Sequence, residues 1–365
     1  MEFLILVFFT SFLVVLLFTP SLIKVAILKR LFDAPGDLRK LHKRMVPTIG
    51  GIIIFAGTLF SFSLWFPSQK LHDSIELYNS MNDYKYIVST LLIMFFVGVK
   101  DDIIGTAPVK KLVAHVLVGM VLVLMADIRI SSLQGIFGIE VIPYWASIFL
   151  SLFTYIVVVN SFNLIDGIDG LAGGIGLIAS VAFGAWFAFA GDPVMAALAF
   201  SLSGSLLAFL MFNFSPAKIF MGDSGSLTIG LIICILAIKL VSYDVSTINN
   251  TFLLQISRPI FVMSVLVYPL IDTLRIFIYR AVRGVSPFSA DRNHLHHRLI
   301  DLGYNHRKTV IIIYIINILI IGVAMSLINI STSYTLFIVG GASILLTQLP
   351  LFIFKRKSRI AKQNV

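Results

Sequence analysis

Four short polar clusters in this chain carry side chains suited to phosphate chemistry. They are Asp101-Asp102; Asn160, Asn163, Asp166 and Asp169 within 160–170; Phe220-Met-Gly-Asp223-Ser-Gly-Ser226; and Asp291-Arg292-Asn-His294-Leu-His296-His297. Carboxylates grouped with amides and without thiolates make a hard, oxygen-rich environment that suits Mg²⁺ or Mn²⁺ over zinc or copper. Such an ion commonly arrives with a diphosphate and neutralises charge as a phosphoryl bond breaks. Imidazoles and guanidinium groups, here His294, His296, His297, Arg292 and Arg298, suit the remaining phosphate oxygens.

Each cluster also has a plain structural reading. Asp101-Asp102 beside Lys100 reads as a neutralised helix end, and the glycines at 167, 170, 173 and 174 as turns or close helix packing. Gly222 to Gly225 reads as a turn capping a helix that starts near Ser226. Phe220 alone reads as lipid or core packing. Three imidazoles suit zinc, but the clustered carboxylates favour a phosphate role. His42, His72, His115 and His306 read as surface or packing residues. Asp272 and Arg275, three apart in an apolar run, most simply pair with each other.

The elements that must position these clusters are membrane helices. Hydrophobic residues make up 58% of the chain and charged residues 13%, about half the ~25% charged residues of soluble domains. Mean hydropathy is +0.97. The single Cys234 excludes an intramolecular disulfide framework. Residues 3–18 lack a basic leader and a small-residue cleavage site, so they read as a retained first helix. A window of about 20 residues predicts an all-α integral membrane protein with about eleven transmembrane helices. These fall near 2–28, 50–66, 86–99, 111–126, 141–159, 171–190, 194–213, 226–241, 259–280, 309–328 and 333–354. The longest connection, 281–308, has Leu295, Leu299 and Leu302 spaced for a short amphipathic helix.

Counting connections alternately, all but five of the 28 Lys and Arg fall on one side. That side is cytoplasmic by the positive-inside rule, with the amino terminus outside and the carboxyl terminus inside. The net charge of +10 is then an orientation signal suited to anionic lipid, not a nucleic-acid footprint. All four polar clusters fall on that same side. Charged groups at membrane depth are costly and commonly line a water-filled site, so their convergence reads as function.

Taken together, Asp101-Asp102, Asn160-x-x-Asn163-x-x-Asp166-Gly-x-Asp169-Gly-Leu-Ala, Phe220-Met-Gly-Asp223-x-Gly-Ser and His294-x-His296-His297 resemble the polyprenyl-phosphate N-acetylhexosamine-1-phosphate transferases. The likeness extends from Asp33-x-Pro-x-x-x-Arg39-Lys40-x-His42 through Pro47-x-x-Gly50-Gly51 to the histidine motif. Arg39-Lys40-x-His42 and the spaced histidines resemble the branch that attaches GlcNAc-1-phosphate to undecaprenyl phosphate, more than the branch whose substrate carries a MurNAc-pentapeptide.

The resemblance implies a single transferase domain over 1–365, with cytoplasmic loops 29–49, 100–111, 160–170, 213–226 and 281–308 forming the active site. It implies Mg²⁺, with Mn²⁺ as the alternative, a UDP-sugar donor and an undecaprenyl phosphate acceptor. The setting is the bacterial inner membrane, where the product initiates cell-envelope glycan synthesis; a homodimer is compatible. By the resemblance, Asp223 is the principal metal ligand, with Asp101 and Asp102 near the metal and the acceptor phosphate. Asn160, Asn163, Asp166 and Asp169 bind substrate, the last three shaping the nucleotide pocket, and Phe220 stacks on uracil. Arg292, His294, His296 and His297 bind diphosphate or sugar, and Arg39, Lys40 and His42 contact the acceptor phosphate. Ile103-Ile-Gly105 follows the aspartates where related members place a lysine, a role left to Lys110 or Lys111. An apolar groove for the prenyl chain is expected between helices five and nine, with Phe261, Pro269 and Phe277 bending or lining it.

The competing class is a transporter of an anionic solute, which would place its site near the midplane and repeat its halves. No halves repeat here. Within the transferase reading, GalNAc or a deoxy-amino sugar is an alternative donor.

Overall fold

The computed structural model describes residues 2–29, 46–71, 73–248, 250–284 and 294–363. Arg39, Lys40, His42 and Arg292 therefore lie outside the described residues. The first helices are α1 (Glu2–Leu28), α2 (Gly50–Leu64), α3 (Ser74–Ile104), α4 (Pro108–Met120), α5 (Tyr144–Ile165), α6 (Leu171–Ala190) and α7 (Pro193–Asn213). They are followed by α8 (Gly222–Val241), α9 (Thr251–Gln255), α10 (Arg258–Val265), α11 (Val267–Val282), α12 (Leu295–Asp301), α13 (His306–Ser326) and α14 (Thr332–Gln363). Among the described residues, seven helices are long and apolar enough to cross a membrane, or eight if a bent pair counts as one span. The chain is a multi-pass helical membrane protein.

Each of the eleven expected segments falls on a helix, but four boundaries differ in ways that matter. The third helix was expected at 86–99 and α3 has 31 residues, about 45 Å at 1.5 Å per residue. Hydropathy reads only its apolar half; the polar first turns continue it, with Asp73 accepting the Ile75 N–H at 3.2 Å. Helix α5 runs on to Ile165, so Asn160 and Asn163 sit in its last turns and not in a loop. Helix α8 starts at Gly222, so Gly222 to Gly225 is its first turn. The ninth helix is broken: α10 and α11 meet at Leu266 with a bend of 74°. An antiparallel hairpin, β1 (Ser132–Ile136) with β2 (Ile139–Val141), was not anticipated. The short amphipathic helix expected after 281 is α12, with Leu295 and Leu299 buried.

Helix α8 is the axis of the bundle, with every residue from Ser224 to Ile238 buried. Helices α2, α3, α5, α6, α7 and α10 pack on it. Small residues set the separations: a Cβ at Gly98 of α3 would stand 2.5 Å from Ser224 Cα, and one at Gly230 would stand 2.9 Å from Val159 Cα of α5. This is the small-residue contact that lets membrane helices approach closely. The hairpin is tied to the opposite end of the bundle from the polar clusters, where the Phe137 N–H donates to Ser333 Oγ at 2.9 Å.

Candidate functional site

The site is built around the amino-terminal turn of α8. Gly222 has φ +72°, and a Cβ there would lie 2.7 Å from Asp102 Oδ1 and 2.5 Å from the Thr48 carbonyl oxygen, so conformation and space both require glycine. Asp102 Oδ1 accepts the Asp223 N–H at 2.6 Å and Oδ2 accepts the Ser224 N–H at 3.0 Å. A carboxylate on these free N–H groups is also stabilised by the positive end of the helix dipole. The Pro47-x-x-Gly50-Gly51 motif holds the preceding turn. The Phe220 N–H donates to Pro47 O at 2.7 Å, and the N–H groups of Gly50 and Gly51 donate to Phe220 O and Met221 O at 2.9 and 2.7 Å. A Cβ at Gly51 would stand 2.0 Å from Gly225 N.

The Asp223 carboxylate, so placed, meets two elements. Its Oδ1 accepts from Asn163 Nδ2 of α5 at 2.8 Å, and its Oδ2 is ion-paired with the Lys111 ammonium of α4. Lys111 Nζ also lies 3.4 Å from Asp101 Oδ2 and donates to Asn163 Oδ1 at 3.3 Å. The neighbouring aspartates therefore differ: Asp101 faces the cation-binding oxygens, while both oxygens of Asp102 hold backbone N–H groups of α8. Asp102, expected near the metal, lines the same cavity as Asp101 and Asp223 while its oxygens hold that turn. Lys111, the weaker expectation, is the residue at the centre.

Two carboxylates and an amide oxygen converging on one ammonium form a donor set that accepts a hard cation. Among the described residues, no group of three or more His, Cys, Asp or Glu side chains converges on a metal position. Asp101, Asp223 and Asn163 are the residues that could hold a hard cation here, as part of a coordination sphere completed by waters and substrate oxygens.

Two cavities open beside this set. The smaller, about 310 Å³, is lined by Thr48, Asp102, Asp169, Asn213, Phe220 and Asp223 among others. The larger, about 830 Å³, is walled by Leu112 of α4, Phe153 and Ile156 of α5, and Leu274 and Phe277 of α11. Asp101, Asp166 and Gly167 line both. Burial, then the charges of Asp223, Asp102 and Asp169, push the Asp166 carboxyl well above the usual range.

The expected site residues divide between the cavities. Asp169 and Phe220 line the smaller one; Asp169 Oδ2 accepts the Ala217 N–H at 3.1 Å, and its buried Oδ1 has no hydrogen-bond partner. Asn160 and Asn163 line the larger one, and Asn163 also braces Asp223. Of the groove residues, Phe277 lines the larger cavity, whereas Phe261 packs edge-on against Phe183 at 6.2 Å. Pro269 is buried in the first turn of α11, past the bend.

The histidines are held by α11. Asp272 Oδ2 lies 2.7 Å from His294 Nδ1, and its Oδ1 accepts from the Leu295 N–H at 2.8 Å and from Arg275 at 3.1 Å. The expected Asp272–Arg275 pair exists, but it is one contact of three. His294 and His297 line the larger cavity with Arg280. His296 lines neither: it is fully buried, with Nδ1 3.1 Å from the Tyr268 hydroxyl. A Cβ at Gly167 would stand 2.8 Å from His296 Nε2, so His296 packs directly against the Asp166-Gly167 turn. Burial holds its imidazole well below the usual range. Lys111 and Asp272 both carried a sequence signal stronger than the weight given them: Lys111 stands in a first helical turn, where the dipole disfavours a cation, and Asp272 is a carboxylate inside an apolar run.

Fold and site together define a multi-pass membrane protein with an acidic, oxygen-rich pocket opening onto an apolar groove. Residues 84–241 match the family described as Glycosyl transferase family 4. The chain is 32% identical over 331 residues to the decaprenyl-phosphate N-acetylglucosaminephosphotransferase of Mycolicibacterium smegmatis, covering 86% of this chain and 80% of that one. It is 29% identical over 348 residues to the undecaprenyl-phosphate alpha-N-acetylglucosaminyl 1-phosphate transferase of Salmonella typhi, and 27% over 351 residues to that of Escherichia coli K12. Each alignment covers 93% of this chain and 88% of the relative. The chain belongs to the glycosyl transferase family that contains these polyprenyl-phosphate N-acetylglucosamine phosphotransferases.

Proposed function

We propose that this protein transfers GlcNAc-1-phosphate from UDP-GlcNAc to a polyprenyl phosphate, undecaprenyl phosphate in the first instance, and releases UMP. The observation that carries this reading is the meeting of the polar and the apolar-walled cavity at Asp101, Asp166 and Gly167. A nucleotide and a lipid phosphate entering from the two sides bring their phosphates to one cluster of oxygens and cations. A prenyl chain leaves lipid at about 0.8 kcal/mol per CH₂, so a groove between α4, α5 and α11 suits it.

A lipid phosphate oxygen attacks the sugar-linked phosphorus; that P–O bond forms as the bond to the UMP oxygen breaks. The acceptor, a phosphate monoester with a second pKa of about 6, is largely dianionic at neutral pH and barely needs a base. Asp101 orients it beside Lys111, whose ammonium balances charge on the phosphates. Phe220 stacks on the base, and Asp169 lines the pocket beside it. Asp101 and Asp223, with Asn163 alongside, would hold Mg²⁺, which supplies charge neutralisation at the diphosphate. Asp102 fixes the α8 turn that carries Asp223.

The finer topology belongs to the same proposal: eleven spans, amino terminus outside, site and carboxyl terminus in the cytoplasm of a bacterial inner membrane. The unequal distribution of Lys and Arg supports it. Formation of labelled lipid from radiolabelled UDP-GlcNAc, undecaprenyl phosphate and Mg²⁺ by the purified protein is the test, with EDTA abolishing it. No labelled product from UDP-GlcNAc, UDP-GalNAc or a deoxy-amino analogue would overturn the transferase reading. Inversion at a chiral labelled phosphorus is expected for direct attack; retention would mean a covalent aspartyl intermediate.

A further inference from the structure

Helix α11 presents Tyr268 and Asp272 one turn apart, about 6 Å along the axis. Opposite them, α12 and the residue before it present His294 and His296, whose rings stack at 5.4 Å with planes 17° apart. The two spacings match, so each imidazole meets its own partner: His296 the phenol at 3.1 Å and His294 the carboxylate at 2.7 Å. The chemistry then diverges. His296 is sealed beneath Gly167, while the ring of His294 lines the larger cavity beside His297 and Arg280.

Asp272 is 2% exposed, and no role falls to it in the transfer proposed above. A carboxylate that accepts from one ring nitrogen dictates which proton the imidazole carries and where its other nitrogen points. Here Oδ2 takes the Nδ1–H of His294, while Oδ1 takes the Leu295 N–H and Arg275. The same carboxylate thus holds both the ring and the start of α12 that carries it.

We propose that Asp272 is a positioning residue for the transfer reaction: it takes the Nδ1–H of His294 and so leaves Nε2 an acceptor, turned to the larger cavity, where it receives a hydrogen bond from a hydroxyl of the donor sugar. This rests on the transferase reading. Asp272 itself touches no substrate. Its effect passes through His294, which separates the proposal from a purely structural buried carboxylate.

The test is a cycle in the purified full-length protein: Asp272→Asn, His294→Ala and the double variant, each with kcat, KM for both substrates and a thermal midpoint. Asparagine keeps an oxygen for the Leu295 N–H, but the amide nitrogen that replaces Oδ2 is a donor and cannot accept the His294 Nδ1–H. Asp272→Asn should lower kcat at least ten-fold with the midpoint within a few degrees of the parent. The double variant should be no slower than His294→Ala. Multiplying losses, an unchanged Asp272→Asn rate, or a loss that merely follows loss of folded protein while His294→Ala stays active would each overturn it. Histidine ¹⁵N NMR of the same proteins reads the tautomer without turnover, with His294→Ala assigning the signal. A protonated Nδ1 at His294 that is lost in Asp272→Asn supports the positioning role even if no transfer is found; a signal indifferent to Asp272 sinks it even if the enzyme is active.

Discussion

The two cavities share three residues and differ in almost everything else. The smaller is walled by backbone turns and polar side chains: Thr48, Asp102, Asp169, Asn213 and the edge of the α8 turn. The larger is walled by the sides of α4, α5 and α11, with polar groups only where those helices end. Loops can bring many hydrogen-bonding groups to a small ligand but cannot face lipid with unpaired backbone. Helix sides can face lipid but offer few donors. On the proposed function, the pairing means that one substrate is recognised by hydrogen bonds and the other by length of apolar contact, with a shared oxygen cluster between them.

The strongest challenge to that picture is Asp223→Asn, which weakens the shared cluster itself. Transfer should fall on the order of 10³-fold, the scale of losing a preorganised electrostatic contact, while both substrates still bind. An unaltered rate would remove Asp223 from the chemistry. Next is Gly167→Ala, whose Cβ meets His296 Nε2 at 2.8 Å. Displacing the turn common to both cavities should cost about 10²-fold in kcat, and adding His296→Ala should restore part of it. Failure of that rescue would break the link between the histidine motif and the Asp166 turn.

Smaller effects should divide by cavity. Phe220→Leu removes an aromatic stack of about 0.5–1.5 kcal/mol and should raise KM for the UDP-sugar about three- to ten-fold, leaving the lipid KM alone. Phe277→Ser should do the reverse. If both variants shifted the same KM, the division into donor and acceptor sides would be wrong. The least effect is expected from Tyr314→Phe. Its hydroxyl donates to Gly170 O behind the smaller cavity, so its loss should cost about 1 kcal/mol of stability and no more than about a threefold rise in donor KM. A thermal midpoint and a donor titration measure both.

Much of this was legible before any coordinates. The membrane class follows from composition because burial in lipid acts on every residue of a span, so a window average detects it. The four clusters were visible because polar groups at membrane depth are costly enough to stand out. Boundaries were less legible where polar residues continue a helix, as in α3 and the last turns of α5, because hydropathy measures environment and not backbone conformation. The break at Leu266 had no marker beyond nearby Pro269, which lies past it.

What the sequence determined by itself is the kind of molecule and its inventory: a multi-pass helical protein with carboxylates, amides and imidazoles at one set of helix ends, and the family those residues resemble. Only the tertiary structure decided which of those groups face each other. Asp101 and Asp102 are neighbours in the chain, yet one meets Lys111 and the other holds the first turn of α8. His294 and His296 are two apart, yet one lines a cavity and the other lies under a glycine. Adjacent residues on a helix point about 100° apart. The phase that sends one toward the site and the next away is set by helix packing, here by close approaches at Gly51, Gly98 and Gly230, and no local pattern records it.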